Sequence, residues 1–126
     1  MSDLATQTFT ITRADLVGYA NASGDQNPIH QDDDVARQVG LPGVIAHGMY
    51  TMALAARAVQ EWFPGAEVVS FGCKFTQPVV VPEGDGVDLE VAGVVTGETD
   101  GLTSVTLTVT CGGERVLGMP KAVVRA

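Results

Sequence analysis

The sequence predicts an α+β fold in which an antiparallel sheet wraps around one long central helix. Three observations predict it. Residues 46–63, AHGMYTMALAARAVQEWF, form the best helical pattern in the chain and are apolar on nearly every side. After Pro64-Gly65 the chain reads as alternating β-runs separated by glycine-rich turns. A short β-rich run, Thr6 to Ile11, precedes the helices. A helix that is apolar all round needs cover all round, and a curved sheet is the cover the rest of the chain can supply. At 126 residues the chain is expected to form one domain, 1–126, with a core of its own.

Each element has a local reason. Thr12 is a good N-cap and Asp15 stands at the third helical position, so TRAD opens a first helix. Leu16 and Tyr19 follow at helical spacing, and the helix runs to about Ala22, where Ser23-Gly24 stops it. Asn27-Pro28 starts a new turn, since Asn caps and Pro is tolerated as a first helical residue. Asp32 to Asp34 place carboxylates near the positive end of a short second helix, about Asp33 to Val39, which Gly40 ends. In the long helix Met49, Met52, Ala53, Ala56, Val59 and Phe63 make an apolar stripe. Tyr50, Leu54, Ala55 and Ala58 fill much of the other side, so burial nearly all round is expected.

The strands follow. VVSFGCKF is the first after the helix and ends at the prolines of TQPVVVPEGDG. VDLEVAGVV alternates Val87, Leu89 and Val91 against Asp88 and Glu90, then shifts phase at Gly93, where a bulge is expected. GETDG is a hairpin loop, and TSVTLTVT turns Val105, Leu107 and Val109 inward. CGGE supplies a two-glycine turn. Residues 115–124 return as the last strand, with Pro120 marking an edge or a bulge. The arrangement is that of a single hotdog fold.

Composition excludes several functions. The net charge of −8, from 7 basic and 15 acidic residues, argues against nucleic acid, which needs a basic stripe. The longest apolar stretch, around Met49 to Val59, is broken by Thr51 and Arg57 and is too short to span a bilayer. The start, MSDLATQTF, has neither a basic end nor an apolar segment, so no signal peptide is expected. Two distant cysteines, Cys73 and Cys111, read as reduced thiols of a cytoplasmic protein.

The chemistry concentrates in SGDQNPIHQDDD, Ser23 to Asp34. A calcium loop starting at Asp25 fails, because Ile29, His30 and Ala36 stand where a ligand, a glycine and a bidentate Glu are needed. A zinc finger fails because neither His30 nor His47 pairs with a cysteine at finger spacing. No metal and no cofactor is expected. Turn chemistry alone accounts for much of the run, and for Asp32 to Asp34 a helix start is the leading reading. Asp25 and His30, five residues apart across a bend stiffened by Asn27-Pro28, can also converge on one substrate atom as an acid/base pair. A second segment, IAHGM, raises that reading. It opens the long helix with Gly48 in the first turn, where free N–H groups can stabilise an oxyanion and glycine lets a substrate approach. His47 is read as structural or as a loop anchor.

Together these segments resemble the hydratase motif of the MaoC-like, (R)-specific enoyl-CoA hydratase family. The matching residues are Tyr19, Ser23-Gly24-Asp25, Asn27-Pro28-Ile29-His30, Asp32, Ala36, Gly40 and Ala46-His47-Gly48-Met49 with Thr51. Within the family the chain is most similar to the catalytic β subunit of actinobacterial (3R)-hydroxyacyl-ACP dehydratases, more loosely through KFTQPVVVP and GMPKAVV. Relatives commonly carry a further segment before the first strand, whereas this chain begins almost at the strand. The resemblance implies a hydro-lyase that interconverts (3R)-hydroxyacyl and trans-2-enoyl thioesters of CoA or ACP. It implies Asp25 and His30 as the catalytic pair, the Gly48 N–H as oxyanion donor, and Ser23 and Asn27 as supports of the loop. A dimer is expected, either of identical chains or with a related hotdog subunit, and no membrane partner. Two alternatives use the same helix start: a hotdog acyl thioesterase, and a non-catalytic acyl-binding subunit.

Overall fold

The computed structural model describes residues 2–125. The first strand, β1 (Ser2–Ile11), starts ahead of its β-rich run because it pairs along its length with β3, from Ser2 opposite Val95 to Ile11 opposite Val87. Pairing thus recruits residues that carry no β signal of their own. The first helix, α1 (Arg13–Ser23), has both arms of the Thr12/Asp15 capping box and closes at Gly24 with φ 81°. A 3₁₀ turn follows at Pro28–His30, capped by the Asn27 side chain. Asp32 caps α2 (Asp33–Gln38) through Asp34 N–H and Val35 N–H.

Asp33 opens α2, as the reading of the aspartate triplet as a helix start expects, and has a further role. It accepts both guanidinium arms of Arg13, at 2.9 and 3.1 Å, and the Val44 N–H at 2.9 Å. It therefore ties α1, α2 and the segment before α3 together. Arg13 and Val44 hold its carboxyl below the usual carboxylate range.

The sheet contains β2 (Glu67–Phe75), β3 (Val87–Thr99), β4 (Leu102–Cys111), β5 (Glu114–Arg115) and β6 (Leu117–Arg125) besides β1. Its order is β1-β3-β4-β6-β2, all antiparallel, with β5 beside β4. The β3–β4 hairpin is tighter than the GETDG loop. Only Asp100 and Gly101 turn, with φ 55° and 77°, and Thr99 already pairs Leu102. Gly112 and Gly113 make the next turn at φ 61° and 83°. Positive φ at both central residues gives a hairpin turn matched to strand twist.

Pro120 sits at a bulge in an interior strand. Thr106 pairs Lys121 and Thr110 pairs Arg115, so four steps on β4 face six on the other side. Met119 takes φ 48° there. Gly93 does not bulge. It pairs Leu107 in register. The β1–β3 ladder shifts beside it, between Leu4 and Gln7, but the additional residue is on β1, and the β3–β4 shift falls between Val95 and Gly97. A Cβ at Gly93 would lie 2.7 Å from the Trp62 ring, so glycine is there to admit that ring.

The central helix, α3 (Gly48–Trp62), lies on the concave face. Its buried residues are Thr51, Leu54, Ala55, Ala58 and Val59, spaced as one stripe. They pack against Leu89, Val91, Val105, Leu107, Val109, Ala122 and Val124. The expected burial all round does not hold in this single chain. Met49 is 57% exposed and Ala53 is exposed, because the sheet covers one side of the helix only. None of the described helices is long and apolar enough to cross a membrane.

Candidate active site

The polar stretch is bonded first to itself. Ser23 Oγ accepts the Asp25 N–H at 3.2 Å, Asp25 Oδ1 accepts the Asn27 N–H at 3.2 Å, and Asn27 Oδ1 accepts the Ile29 N–H at 3.2 Å. Each short polar side chain thus closes a turn two residues on. These turns leave Asp25 Oδ2 free and bring it 4.0 Å from His30 Nε2.

His30 is held from its other side. Its Nδ1 lies 2.8 Å from the Ile45 carbonyl, which can only accept, so the hydrogen-bond network assigns the proton to Nδ1. Neutral His30 therefore turns a bare Nε2 toward Asp25. Two acceptors that face each other at 4.0 Å leave room for a shared hydrogen-bond donor, such as water or a hydroxyl. His30 is buried while half of the Asp25 side chain is exposed.

The Ile45 strand residue is fixed in turn. Ala46 N–H bonds the Val79 carbonyl and Val81 N–H bonds the Val44 carbonyl, a two-residue ladder that leads straight into α3. His47 then serves as N-cap of α3 without a side-chain cap bond. The other described helices and the 3₁₀ turn are capped by Thr12, Asn27 and Asp32. The first N–H groups of α3 therefore face no side-chain acceptor, and Gly48 is the first residue to offer one.

His47 anchors the loop, as expected of it, and does so at the centre of the site. Its Nε2 donates to the Asp25 carbonyl at 3.1 Å. Its ring stacks on His30 at 3.7 Å and meets Tyr19 at 4.8 Å. Its Nδ1 is buried with no partner. Asp25, His30 and His47 place ligand-type atoms within 4.8 Å of one another. His30 Nδ1 and His47 Nε2 are engaged by carbonyls, which leaves His30 Nε2 and His47 Nδ1 as the free ring nitrogens.

Two cavities meet here. One, of about 380 Å³, runs from His30 and Gly48 into an apolar end at Val79, Val116 and Leu117. The other, of about 410 Å³, is lined by Tyr19, Asp25, His47 and Met49. Gly48 and Phe75 line both. A Cβ at Gly48 would stand 3.1 to 3.3 Å from three Phe75 ring atoms. Sequence reasoning missed Phe75, which arrives from the end of β2 and carries no local signal of a site. Ser23, Asp25, Asn27, His30 and Gly48, by contrast, come together as the spacing suggests.

The MaoC-like domain model matches residues 2–112. The chain is 38% identical over 97 residues to 3-hydroxyacyl-thioester dehydratase X of Mycobacterium tuberculosis, covering 77% of this chain and 31% of that one. A solved MaoC-like dehydratase superposes with a TM-score of 0.93 at 34% identity, over 98% of this chain and 39% of that one. The unliganded R-hydratase PhaJ1 of Pseudomonas aeruginosa superposes with a TM-score of 0.87 at 29% identity, over 99% of this chain and 79% of that one. The chain thus spans about a third of the first two relatives' length. With the hotdog sheet, the paired carboxylate and imidazole, and the uncapped helix start on the same scaffold, the chain belongs to the MaoC-like domain family.

Proposed function

We propose that this chain is a hydro-lyase acting on acyl thioesters, adding water to a trans-2-enoyl group or removing it from a (3R)-hydroxyacyl group. The observation that carries the reading is the Asp25–His30 pair, 4.0 Å apart and each locked by its neighbours, beside the open start of α3. Asp25 Oδ2 and His30 Nε2 hold the water or the β-hydroxyl between them. The water gives one proton to the pair as its oxygen joins the β-carbon, and the pair returns one proton to the α-carbon, so its protonation is restored at the end of the turnover. The negative charge that gathers on the thioester oxygen meets the Gly48 N–H. Ser23 and Asn27 fix the loop, and the apolar cavity takes the acyl chain. The names of the relatives support this reaction class.

The same reading favours a dimer, with an identical chain or a related hotdog subunit. β2 ends the sheet with an open edge, Val69 and Phe75 on it are 41% and 56% exposed, and Met49 stands exposed nearby. An edge strand that carries exposed apolar residues invites a partner. Reduced Cys73 and Cys111 fit a cytoplasmic setting. The test of the reaction is hydration of crotonyl-CoA by the wild type, Asp25→Asn and His30→Ala. A loss of at least roughly 10²-fold in kcat is expected for each variant. Wild-type rates in both would sink the assignment. Light scattering on the purified chain, with and without candidate partner subunits, tests the dimer.

A further inference from the structure

The seven basic residues fall into two groups. Four are paired with carboxylates: Arg13 with Asp33, Arg37 with Asp34, Arg57 with Glu61 and Arg125 with Glu67. Among the described residues the other three, Lys74, Arg115 and Lys121, have no carboxylate within 4.0 Å. These three share one side of the sheet. Lys121 pairs Thr106 and Gly72, Arg115 pairs Thr110, and Lys74 pairs Gly118, all on the face turned away from α3. Lys74 stands two residues beyond Gly72, the partner of Lys121, across a register shift between β2 and β6.

The sheet is open where they gather. The two-residue excess between Arg115 and Lys121 parts β6 from β4, and Met119 is held in the left-handed region that side chains disfavour. The gap is a groove of about 530 Å³ lined by Arg115, Lys121, Thr106, Thr108 and Met119. It adjoins the apolar cavity beside His30 and Gly48, because Thr76, Gln77 and Leu117 line both.

We propose that this groove binds the phosphate groups of a coenzyme A thioester while the acyl end lies in the cavity beside His30. The inference rests on the reading of that cavity as the thioester site. The Arg115 guanidinium and the Lys121 ammonium, which line the groove without carboxylate partners, are matched to phosphate oxygens, and the Thr106 and Thr108 hydroxyls add donors; Lys74 lies on the same face outside the lining. The small coenzyme meets only the groove. An acidic carrier protein would also meet the rest of a chain whose net charge is −8.

The test uses the full chain, coenzyme A itself as a binding probe, and two substrates, crotonyl-CoA and crotonyl-pantetheine, the second without phosphate. Arg115→Gln/Lys121→Gln is expected to weaken coenzyme A binding in calorimetry by on the order of tenfold, with the CoA-over-pantetheine preference in kcat/KM falling by a similar factor. Arg37→Gln/Arg57→Gln makes the same change in net charge at residues outside the groove and is expected to keep both. Equal losses in the two double variants, or no loss in the first, would overturn the groove assignment. Should the wild type hydrate neither thioester, the reaction reading fails. The calorimetric titration still decides the groove by whether wild-type binding is lost with Arg115 and Lys121.

Discussion

Replacing Gly48 by alanine separates the chemistry of the site from the stability of the fold. Ordinary carbon contacts lie at about 3.5–4.0 Å. The added methyl would meet Phe75 Cε1, Cδ1 and Cζ at 3.1, 3.2 and 3.3 Å. The ring must therefore move by a few tenths of an ångström, and in the single chain, where it is 56% exposed, it has room to do so. Gly48 already has helical geometry, where alanine is favoured over glycine by up to about 1 kcal/mol. The melting temperature is expected to hold or to rise by a few degrees. Activity should respond differently, because the methyl sits where the proposed reaction brings a thioester oxygen to the Gly48 N–H. Loss of one oxyanion donor costs about 10²–10³ in kcat, and a fall of about 10² is expected here. The assay is thermal melting by circular dichroism together with initial rates of crotonyl-CoA hydration. A second variant, Gly48→Ala/Phe75→Ala, tests the cause. If the displaced ring were to blame, its removal would restore activity. The geometry expects no restoration. A folded Gly48→Ala protein with wild-type kcat/KM would refute the reasoning.

Other substitutions probe other links. Gly93→Ala puts a Cβ 2.7 Å from the Trp62 ring, whose Nε1 is pinned to the Ala5 carbonyl at 2.8 Å, so the ring cannot swing away. Overpacking of about 1–3 kcal/mol is expected in denaturant melts, and an unchanged midpoint would discount the contact. Asp33 has a lowered pKa, so its pairing stabilises the fold above the ordinary carboxylate range and that contribution is lost as pH falls through the folded-state value. Asp33→Asn should therefore lower the melting temperature at pH 7, and the gap to wild type should narrow below about pH 4. A gap independent of pH would point away from the Arg13 pair. Burial raises both the Cys73 and Cys111 thiols, and Asp88 adds to the rise at Cys111. Alkylation of the native protein at pH 7.5 should be slower than that of a free thiol and should speed up as pH rises. His47→Ala removes the donor to Asp25 O and the surface under His30, and displacement of this order costs about 10²-fold in rate. Hydration at the wild-type rate would assign His47 a purely structural part.

What could be read from the sequence was set by how local its cause is. The Thr12 capping box, the Gly24 stop, the Asp32 cap and the paired-glycine turn all act within four residues, and the structure has them where the residues stand. So do Ser23, Asp25 and Asn27, whose bonds reach only two residues along. The buried side of α3 was not legible, because a helix apolar on every side gives the 3.6-residue period nothing to choose between. The choice is made by the strands it meets. Gly93 was read as a bulge because a glycine in a strand looks the same whether it bends the chain or admits a ring. The ring belongs to Trp62, a partner 31 positions away (93 − 62). Asp33 likewise seemed one of three equal aspartates until Arg13 and Val44 came to it from separate elements.

The start of α3 departs from the rules that the rest of the chain follows, and the departures have one common location. Thr12 and Asp32 give their helices the side-chain acceptors that first-turn N–H groups lack, each cap worth about 1 kcal/mol. His47 gives α3 none, leaves its own Nδ1 buried without a partner, and is followed by a glycine where alanine would favour the helix. Phe75 and Met49 stay exposed beside it. Costs of this kind persist where something other than stability selects the residue. A serine or aspartate cap at position 47 would stabilise α3 by accepting the N–H of Met49 or Tyr50, as Asp32 and Thr12 do for their helices, but it would set an acceptor oxygen beside the Gly48 N–H, where the thioester oxygen is proposed to bind. It would also remove the ring that holds Asp25 and supports His30. The uncapped helix start and the support of the proposed Asp25–His30 pair thus share one side chain, which links the proposed Gly48 donor to the Asp25–His30 geometry through His47.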